Sequence, residues 1–181
     1  MAVWVALLRA VNVAGVNHLP MADLRKALAT RGVVGVKTYI QSGNLVFQST
    51  QSAPALAGLI ADTIHVEFGF RPPVMVLDAA QIQAALGQNP LAKAAADPAH
   101  LHFCFMEKIL PEATLGFLQS VAGPTERYAF RGKVLWLYLP DGLGKSKLAR
   151  RVAALPVEST ARNLRTVQVI ADIAASLAAG E

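Results

Sequence analysis

Two short runs of the chain combine polar side chains with glycines where predicted strands end. Residues 38–44 read Thr-Tyr-Ile-Gln-Ser-Gly-Asn, and residues 139–146 read Leu-Pro-Asp-Gly-Leu-Gly-Lys-Ser. Amide, hydroxyl and ammonium groups bind phosphates and carboxylates, and glycines allow backbone amides to turn towards an anion. The two runs therefore indicate ligand binding, but they define no reaction.

The second run resembles part of a phosphate-binding P-loop. Gly144-Lys145-Ser146 follows a predicted strand and opens a predicted helix. The full motif needs a glycine five positions before Gly144, where this chain has Leu139, and the antiparallel element order disagrees with a parallel sheet. We therefore reject a true P-loop. Two interpretations stay open, an anion held by loop amides beside Lys145 and a glycine turn that only leads into a helix.

Polar residues at other element ends complete the predicted site. Arg9 and Asn12 lie at the end of the first strand, and Arg162 precedes the last helix. Each group has a structural alternative, because such side chains also pair with carboxylates, satisfy turn backbones or brace helices. If the runs converge in space, they form a pocket that binds a small anionic or phosphorylated ligand. Its predicted residues are Arg9, Asn12, Gln41, Ser42, Asn44, Lys145, Ser146 and Arg162.

No catalytic group can be assigned from the sequence. His100 and His102 share one face of a strand, but two histidines do not make a zinc site, so we predict no metal. Cys104 lies in an apolar strand, and Ser42 and Ser146 have no assigned histidine and acid partners. We predict no cofactor, and an unrecognised hydrolase or transferase stays an alternative.

The chain has a formal net charge of +5, which is concentrated in its C-terminal third. Residues 125–167 contain nine cations and three acids. This surplus indicates either a solvated basic face or contact with nucleic-acid phosphates. Recognition of nucleobases by a βαββαβ sheet is less favoured than phosphate contact, because the first strand lacks the stacking aromatic of RNA-recognition sheets.

Cysteine usage and hydropathy suggest a soluble cytoplasmic protein. Cys104 is the single cysteine, so an intramolecular disulfide is excluded, and we expect a reduced thiol. The apolar start of the chain meets Arg9 early and is interpreted as a strand rather than a signal peptide. No apolar stretch approaches the roughly 18 residues that span a bilayer, so no membrane partner is predicted. The sequence does not determine an oligomeric state.

The element pattern predicts an α+β fold of two ferredoxin-like halves, with antiparallel sheets and helices packed on one face. In the first half, Pro20 begins a helix that ends near Gly32, and the order is βαββαβ. The second half repeats a strand, a helix, a hairpin and a helix, and a last helix covers residues 163–179. We place the halves at residues 1–88 and 99–181, with a connector at 89–98.

Several stretches resemble a bacterial family, domain of unknown function 1697. The resemblance implies an α+β fold and brings no activity, substrate or cofactor. Leu164 stands where we expect an aromatic after Arg162-Asn163, which puts a stacking role there in doubt. The matching stretches are residues 7–13 (Leu-Leu-Arg-Ala-Val-Asn-Val), 21–25 (Met-Ala-Asp-Leu-Arg), 38–44, 139–148 and 160–163 (Thr-Ala-Arg-Asn).

Overall fold

The computed structural model describes residues 1–93 and 97–180. The chain divides into two compact units. Unit 1 contains Met1–Ala84 together with the C-terminal residues from Gln168 onward, and unit 2 is Ala85–Val167. Each unit contains one four-stranded antiparallel sheet. The predicted α+β fold with two ferredoxin-like halves is confirmed.

Unit 1 follows the βαββαβ order. Its elements are β1 (Ala2–Leu8), α1 (Met21–Ala29), β2 (Val34–Tyr39), β3 (Asn44–Ser49), α2 (Ala53–Phe68) and β4 (Val74–Asp78), followed by the start of α3 (Ala79–Gly87). The sheet order is β2-β3-β1-β4, so β1 is central and is hydrogen-bonded on both edges. Polar residues directly after β1 therefore emerge from the middle of the sheet.

Apolar residues at helical spacing cover one face of this sheet. Met21, Leu24 and Leu28 form the buried stripe of α1, and Leu56, Ile60 and Ile64 form that of α2. These side chains belong to one core cluster with Ala6, Leu8, Leu45 and Phe47 of the central strands. Burying each large apolar side chain contributes about 1.5–3 kcal/mol, so this core is the main stabilising feature of unit 1.

Unit 2 repeats the topology of unit 1. Its elements are β5 (Leu101–Met106), α4 (Glu112–Val121), β6 (Arg127–Arg131), β7 (Val134–Tyr138), a 3₁₀ turn (Leu143–Lys145), α5 (Lys147–Ala153) and β8 (Ser159–Asn163). α6 (Leu164–Ala179) follows β8 directly. The order β6-β7-β5-β8 matches that of unit 1 strand for strand. β8, which was not predicted from the sequence, completes the second βαββαβ unit.

The core of unit 2 lies between its sheet and the helices α4 and α5. Leu118, Leu148 and Val152 supply the helical side, and Leu135 and Leu137 supply the sheet side. Cys104 lies in this cluster, and burial raises the pKa of its thiol to about 12. The thiol is therefore protonated at neutral pH and acts as a small apolar core group.

The predicted domain boundaries stay a prediction. The C-terminal residues of α6 group with unit 1, whereas the sequence analysis assigned them to the second half. The proposed connector, residues 89–98, includes residues 94–96, which lie outside the described residues. No helix in the described ranges combines the length and apolar character needed to cross a membrane.

Candidate functional site

Asn12 connects three segments of unit 1 through its side chain. Its Nδ2 group donates to Leu19 O at 3.0 Å and to Gln41 O at 2.8 Å, and its Oδ1 accepts from Leu19 N at 2.8 Å. An asparagine amide has two N–H donors, and both are used here. The side chain thus joins the loop after β1 to the start of α1 and to the β2–β3 turn.

The turn at residues 41–44 is organised by Asn44 and Gly43. Asn44 is completely buried, and its Nδ2 donates to Tyr39 O and to Ser42 Oγ, both at 3.0 Å. Gly43 has φ +81°, and an added Cβ would lie 2.6 Å from Leu8 Cβ. Its carbonyl accepts from Leu8 N at 2.8 Å. The polar groups of this turn therefore form hydrogen bonds with one another and with the neighbouring backbone. This is the structural role that the sequence left open as the alternative to ligand binding.

The loop after β1 stores backbone strain. Ala10, Asn12, Ala14 and Asn17 have φ between 50° and 56°, in the left-handed region that side chains with a Cβ disfavour. Asn17 Nδ2 donates to Ala10 O at 2.8 Å, and Asn17 O accepts from Asn12 N at 3.1 Å. These hydrogen bonds, with those of Asn12, hold the loop in one conformation. We call residues 9–19 together with the turn at 40–44 the Asn12 bracket.

Arg9 begins this bracket at the edge of the core. Its side chain is half-buried, and its backbone amide donates to Pro73 O at 3.1 Å. Gln41 and Ser42 are exposed on the neighbouring turn. Arg9, Asn12, Gln41, Ser42 and Asn44 therefore all belong to one region of unit 1.

The Gly-Lys-Ser run in unit 2 forms a turn followed by a short helix. Ser146 is buried and is the N-cap of α5, because its Oγ accepts from Ala149 N at 2.9 Å. The Gly142, Lys145 and Ser146 amides donate to carbonyls within the loop. Gly142 has φ 88°, which explains the glycine at that position. Of the two interpretations left open by the sequence, this geometry favours the turn, while Lys145 is exposed.

Arg162 lies in β8 rather than at the start of the last helix. Its Nη1 group donates to Thr160 Oγ1 at 2.9 Å and to Ala161 O at 2.8 Å, and burial lowers the pKa of the guanidinium to about 10. It therefore stays protonated at neutral pH. Asn163 caps α6, since its Oδ1 accepts from Thr166 N at 2.9 Å.

The eight predicted site residues are thus divided between the units. Five lie in or beside the Asn12 bracket of unit 1, and Lys145, Ser146 and Arg162 lie in unit 2. Two pairs, Asn12 with Gln41 and Ser42 with Asn44, are joined by hydrogen bonds. A single pocket containing all eight stays a prediction.

A groove in unit 2 was not identified as a site from the sequence. It has a volume of about 640 Å³ and lies between α4 and α5, which pack against each other. α4 contributes Ser120 and Val121, and α5 contributes Lys147, Arg150, Arg151 and Ala154. We call it the α4–α5 groove. Its volume falls within the roughly 300–1,000 Å³ range of ligand sites.

Three cations make the α4–α5 groove basic. Lys147, Arg150 and Arg151 are exposed and recur at helical spacing, so they share one face of α5. Within residues 1–93 and 97–180, no ion pair is recorded for these three side chains. The sequence signal was the basic surplus of residues 125–167, but its location in a groove depends on how α4 and α5 pack.

Phe117 extends this surface by one turn of α4. It is 46% exposed, and the Arg151 guanidinium carbon lies 5.9 Å from the centroid of its ring. A cation at this distance is attracted to the face of an aromatic ring. The contact positions an exposed aromatic ring beside the cations of the groove.

Of the two histidines near the start of β5, His102 lies in the strand and His100 directly precedes it. His102 is buried, its Nδ1 atom has no hydrogen-bond partner, and desolvation lowers its pKa, so the imidazole is neutral at pH 7. In the described part of the chain, no group of three or more His, Cys, Asp or Glu side chains could hold a metal ion.

Comparison with known proteins gives two positive findings. A solved structure of a conserved bacterial protein, SP0830 from Streptococcus pneumoniae, is similar with a TM-score of 0.75 and 25% sequence identity, over 96% of this chain and 98% of that chain. No curated protein matches. Residues 1–136 match the family described as "Protein of unknown function (DUF1697)", which confirms the predicted resemblance. The chain therefore belongs to the DUF1697 family.

Proposed function

We propose that the protein binds a small anionic or phosphorylated ligand in the α4–α5 groove of unit 2. The observation that carries this proposal is the meeting of Lys147, Arg150 and Arg151 at one groove. A ligand with several negative charges gains from all three cations at once. Because the groove is concave, part of the ligand is removed from water, and each interaction is stronger than on a flat surface.

The side-chain chemistry favours phosphate over a single carboxylate. Two of the three cations are arginines, whose planar guanidinium groups form paired hydrogen bonds to phosphate oxygens. Lys147 adds a compact charge, whereas the Ser120 hydroxyl on the opposite wall already donates to Phe117 O at 2.7 Å. We expect binding to weaken with salt, since exposed charges are screened over about 10 Å at 0.1 M ionic strength.

The hydrolase or transferase alternative gains no support from the candidate nucleophiles. The Cys104 thiol is buried with a pKa of about 12. Ser146 Oγ accepts a hydrogen bond as a helix cap, and Ser42 Oγ accepts one from Asn44. We therefore propose binding without assigning a reaction, and we keep the cytoplasmic location expected from the single cysteine as part of the proposal.

The experiment is a calorimetric titration with inorganic tripolyphosphate at 25 and 150 mM salt. We expect the Lys147→Ala/Arg150→Ala variant to bind at least ten times more weakly, a change of about 1.4 kcal/mol. The matched control is Arg131→Ala/Lys133→Ala, which removes one lysine and one arginine from the β6–β7 hairpin of the same unit. Equal losses in both variants would contradict a specific groove, and no binding at either salt concentration would contradict the proposal.

The eight-residue pocket gives a different location for the same ligand class. Arg9→Ala and Lys145→Ala test it, because neither residue lines the α4–α5 groove. Loss of tripolyphosphate binding in these variants, with full binding in Lys147→Ala/Arg150→Ala, would place the ligand in that pocket instead. We expect the opposite result.

A further inference from the structure

The α4–α5 groove continues into an aromatic surface that a small phosphate does not need. Phe117 lies three and four residues before Ser120 and Val121, the two groove residues of α4, so all three share one helix face. The ring is 46% exposed, although burying a side chain of this size would be favourable. This exposure, directly beside the groove cations, leaves the ring accessible to a ligand with both phosphates and an aromatic part.

Arg151 joins the phosphate-binding and aromatic parts of this surface. It lines the groove, and its guanidinium carbon lies 5.9 Å from the centre of the Phe117 ring. The Phe117 ring is suited to stacking on a nucleobase, and the Arg151 guanidinium beside it is suited to phosphates, like Lys147 and Arg150. Base-binding and phosphate-binding groups are therefore adjacent.

The cations are arranged along α5 rather than around one point. Lys147 and Arg151 are four residues apart, which corresponds to a rise of about 6 Å along a helix. A chain of phosphates contacts all three cations more readily than one compact phosphate group does.

Several aromatic side chains of the two sheets are buried and are not accessible for stacking. Phe103 and Trp136 of the unit 2 sheet are 0% and 1% exposed, and they pack edge to face with each other. Phe47 of the unit 1 sheet is also completely buried. Base stacking on the sheet, as in RNA-recognition domains, would require such aromatics to be accessible. Phe117, by contrast, is exposed and lies beside the Arg151 guanidinium.

We propose that the α4–α5 groove binds single-stranded nucleic acid, with backbone phosphates on Lys147, Arg150 and Arg151 and one base stacked on Phe117. This inference rests on the proposed function, because it names the class of phosphorylated ligand for the same groove. Stacking on an aromatic side chain accepts any base, so the expected binding tolerates sequence changes. Its electrostatic part decreases as salt increases.

The test measures fluorescence anisotropy of a labelled 12-nucleotide single strand, in parallel with tripolyphosphate titrations. We expect Phe117→Leu to weaken binding of the single strand at least fivefold and to leave tripolyphosphate affinity unchanged, because leucine keeps an apolar side chain but has no ring for stacking. Phe117→Trp should retain binding of the strand. An abasic strand of the same length should bind the unmodified protein as weakly as the intact strand binds Phe117→Leu.

The two proposals fail in different ways. If tripolyphosphate binds in the groove but Phe117→Leu leaves single-strand affinity unchanged, the stacking proposal is overturned and the proposed function stands. A duplex that binds more tightly than the single strand would also overturn it. If neither probe responds to Lys147→Ala/Arg150→Ala, both proposals are wrong. The ribose and deoxyribose forms of the strand are compared in the same assay. Either form supports the proposal if Phe117→Leu weakens its binding to the protein.

Discussion

The Asn12 bracket of unit 1 and the α4–α5 groove of unit 2 use polar residues in opposite ways. In the bracket, both N–H donors of Asn12 and of Asn44 bind groups of the protein itself. In the groove, Lys147, Arg150 and Arg151 extend from one face of a short helix and line a cavity. The bracket fixes the backbone, whereas the groove presents charge to the surroundings.

This difference shows that polar residues at strand ends do not by themselves mark a ligand site. The bracket contains more residues of the kind expected for recognition, yet its geometry is that of a folded turn. Buried polar groups must be paired, and the bracket's five non-glycine residues with left-handed backbone conformations need such pairing to be held in place. Within the described residues, the exposed groove cations Lys147 and Arg150 form no ion pair that would give them such a structural role.

The largest expected effect on stability comes from Gly43→Ala. Position 43 has φ +81°, and the added methyl would lie 2.6 Å from Leu8 Cβ and 2.8 Å from Val11 Cγ2. Strain and overpacking together should cost about 3–5 kcal/mol of the free energy of unfolding, measured by urea denaturation. The control is Gly15→Ala, where φ is +77° but nothing lies within 4 Å, so only the conformational cost of about 1 kcal/mol applies. Equal losses of the free energy of unfolding in Gly43→Ala and Gly15→Ala would show that the bracket is not tightly packed.

Asn12→Ala should have the next largest effect. It removes three hydrogen bonds and leaves backbone groups of Leu19 and Gln41 without these partners. We expect a loss of about 2–3 kcal/mol in the same denaturation experiment. Asn17→Ala removes the side-chain hydrogen bond to Ala10 O and should cost about 1 kcal/mol. A smaller loss in Asn12→Ala than in Asn17→Ala would contradict the structural role assigned to Asn12.

Ser146→Ala distinguishes a helix cap from a ligand group. Removing the Ser146 Oγ acceptor leaves Ala149 N without its cap and should cost about 1 kcal/mol of stability. Affinity for tripolyphosphate should stay the same. Ser146→Asp retains a capping oxygen and should restore most of the stability. The assignment fails if Ser146→Ala keeps full stability but loses affinity.

The groove cations should have the smallest effect on stability. Lys147→Ala/Arg150→Ala changes two exposed side chains for which the described residues show no ion pair. We expect a change within about 0.5 kcal/mol, in contrast to the bracket variants. A loss of more than about 1 kcal/mol in the free energy of unfolding would mean that these cations stabilise α5, which would contradict a role limited to ligand binding.

The sequence predicted the architecture well because it depends on local patterns. The stripe of Leu24 and Leu28 in α1 follows the helical period, and β5 is a short continuous apolar run that is buried along its whole length. β8 was missed because Ser-Thr-Ala-Arg-Asn lacks an apolar alternation and pairs with only one neighbour, β5. Edge strands of this composition give a weak signal.

The candidate site was harder to predict because it depends on tertiary packing. The sequence identified the basic surplus, but it could not show that Arg150 and Arg151 face α4 across a groove. It also could not show that both donors of the Asn12 amide bind backbone carbonyls far along the chain. Side-chain type indicated which groups could bind a ligand. Only the fold showed which of these groups already form hydrogen bonds with other parts of the protein.

The measurement that tests this account most directly is an NMR titration of the isotope-labelled protein with tripolyphosphate. Backbone amide shifts report where the ligand binds, and both regions are observed in one sample. We predict that shifts concentrate at residues 117–121 and 147–154, while residues 9–19 and 40–44 stay unchanged. Shifts concentrated in the Asn12 bracket, with none along α4 and α5, would contradict the central claim that the groove rather than the bracket binds the anion.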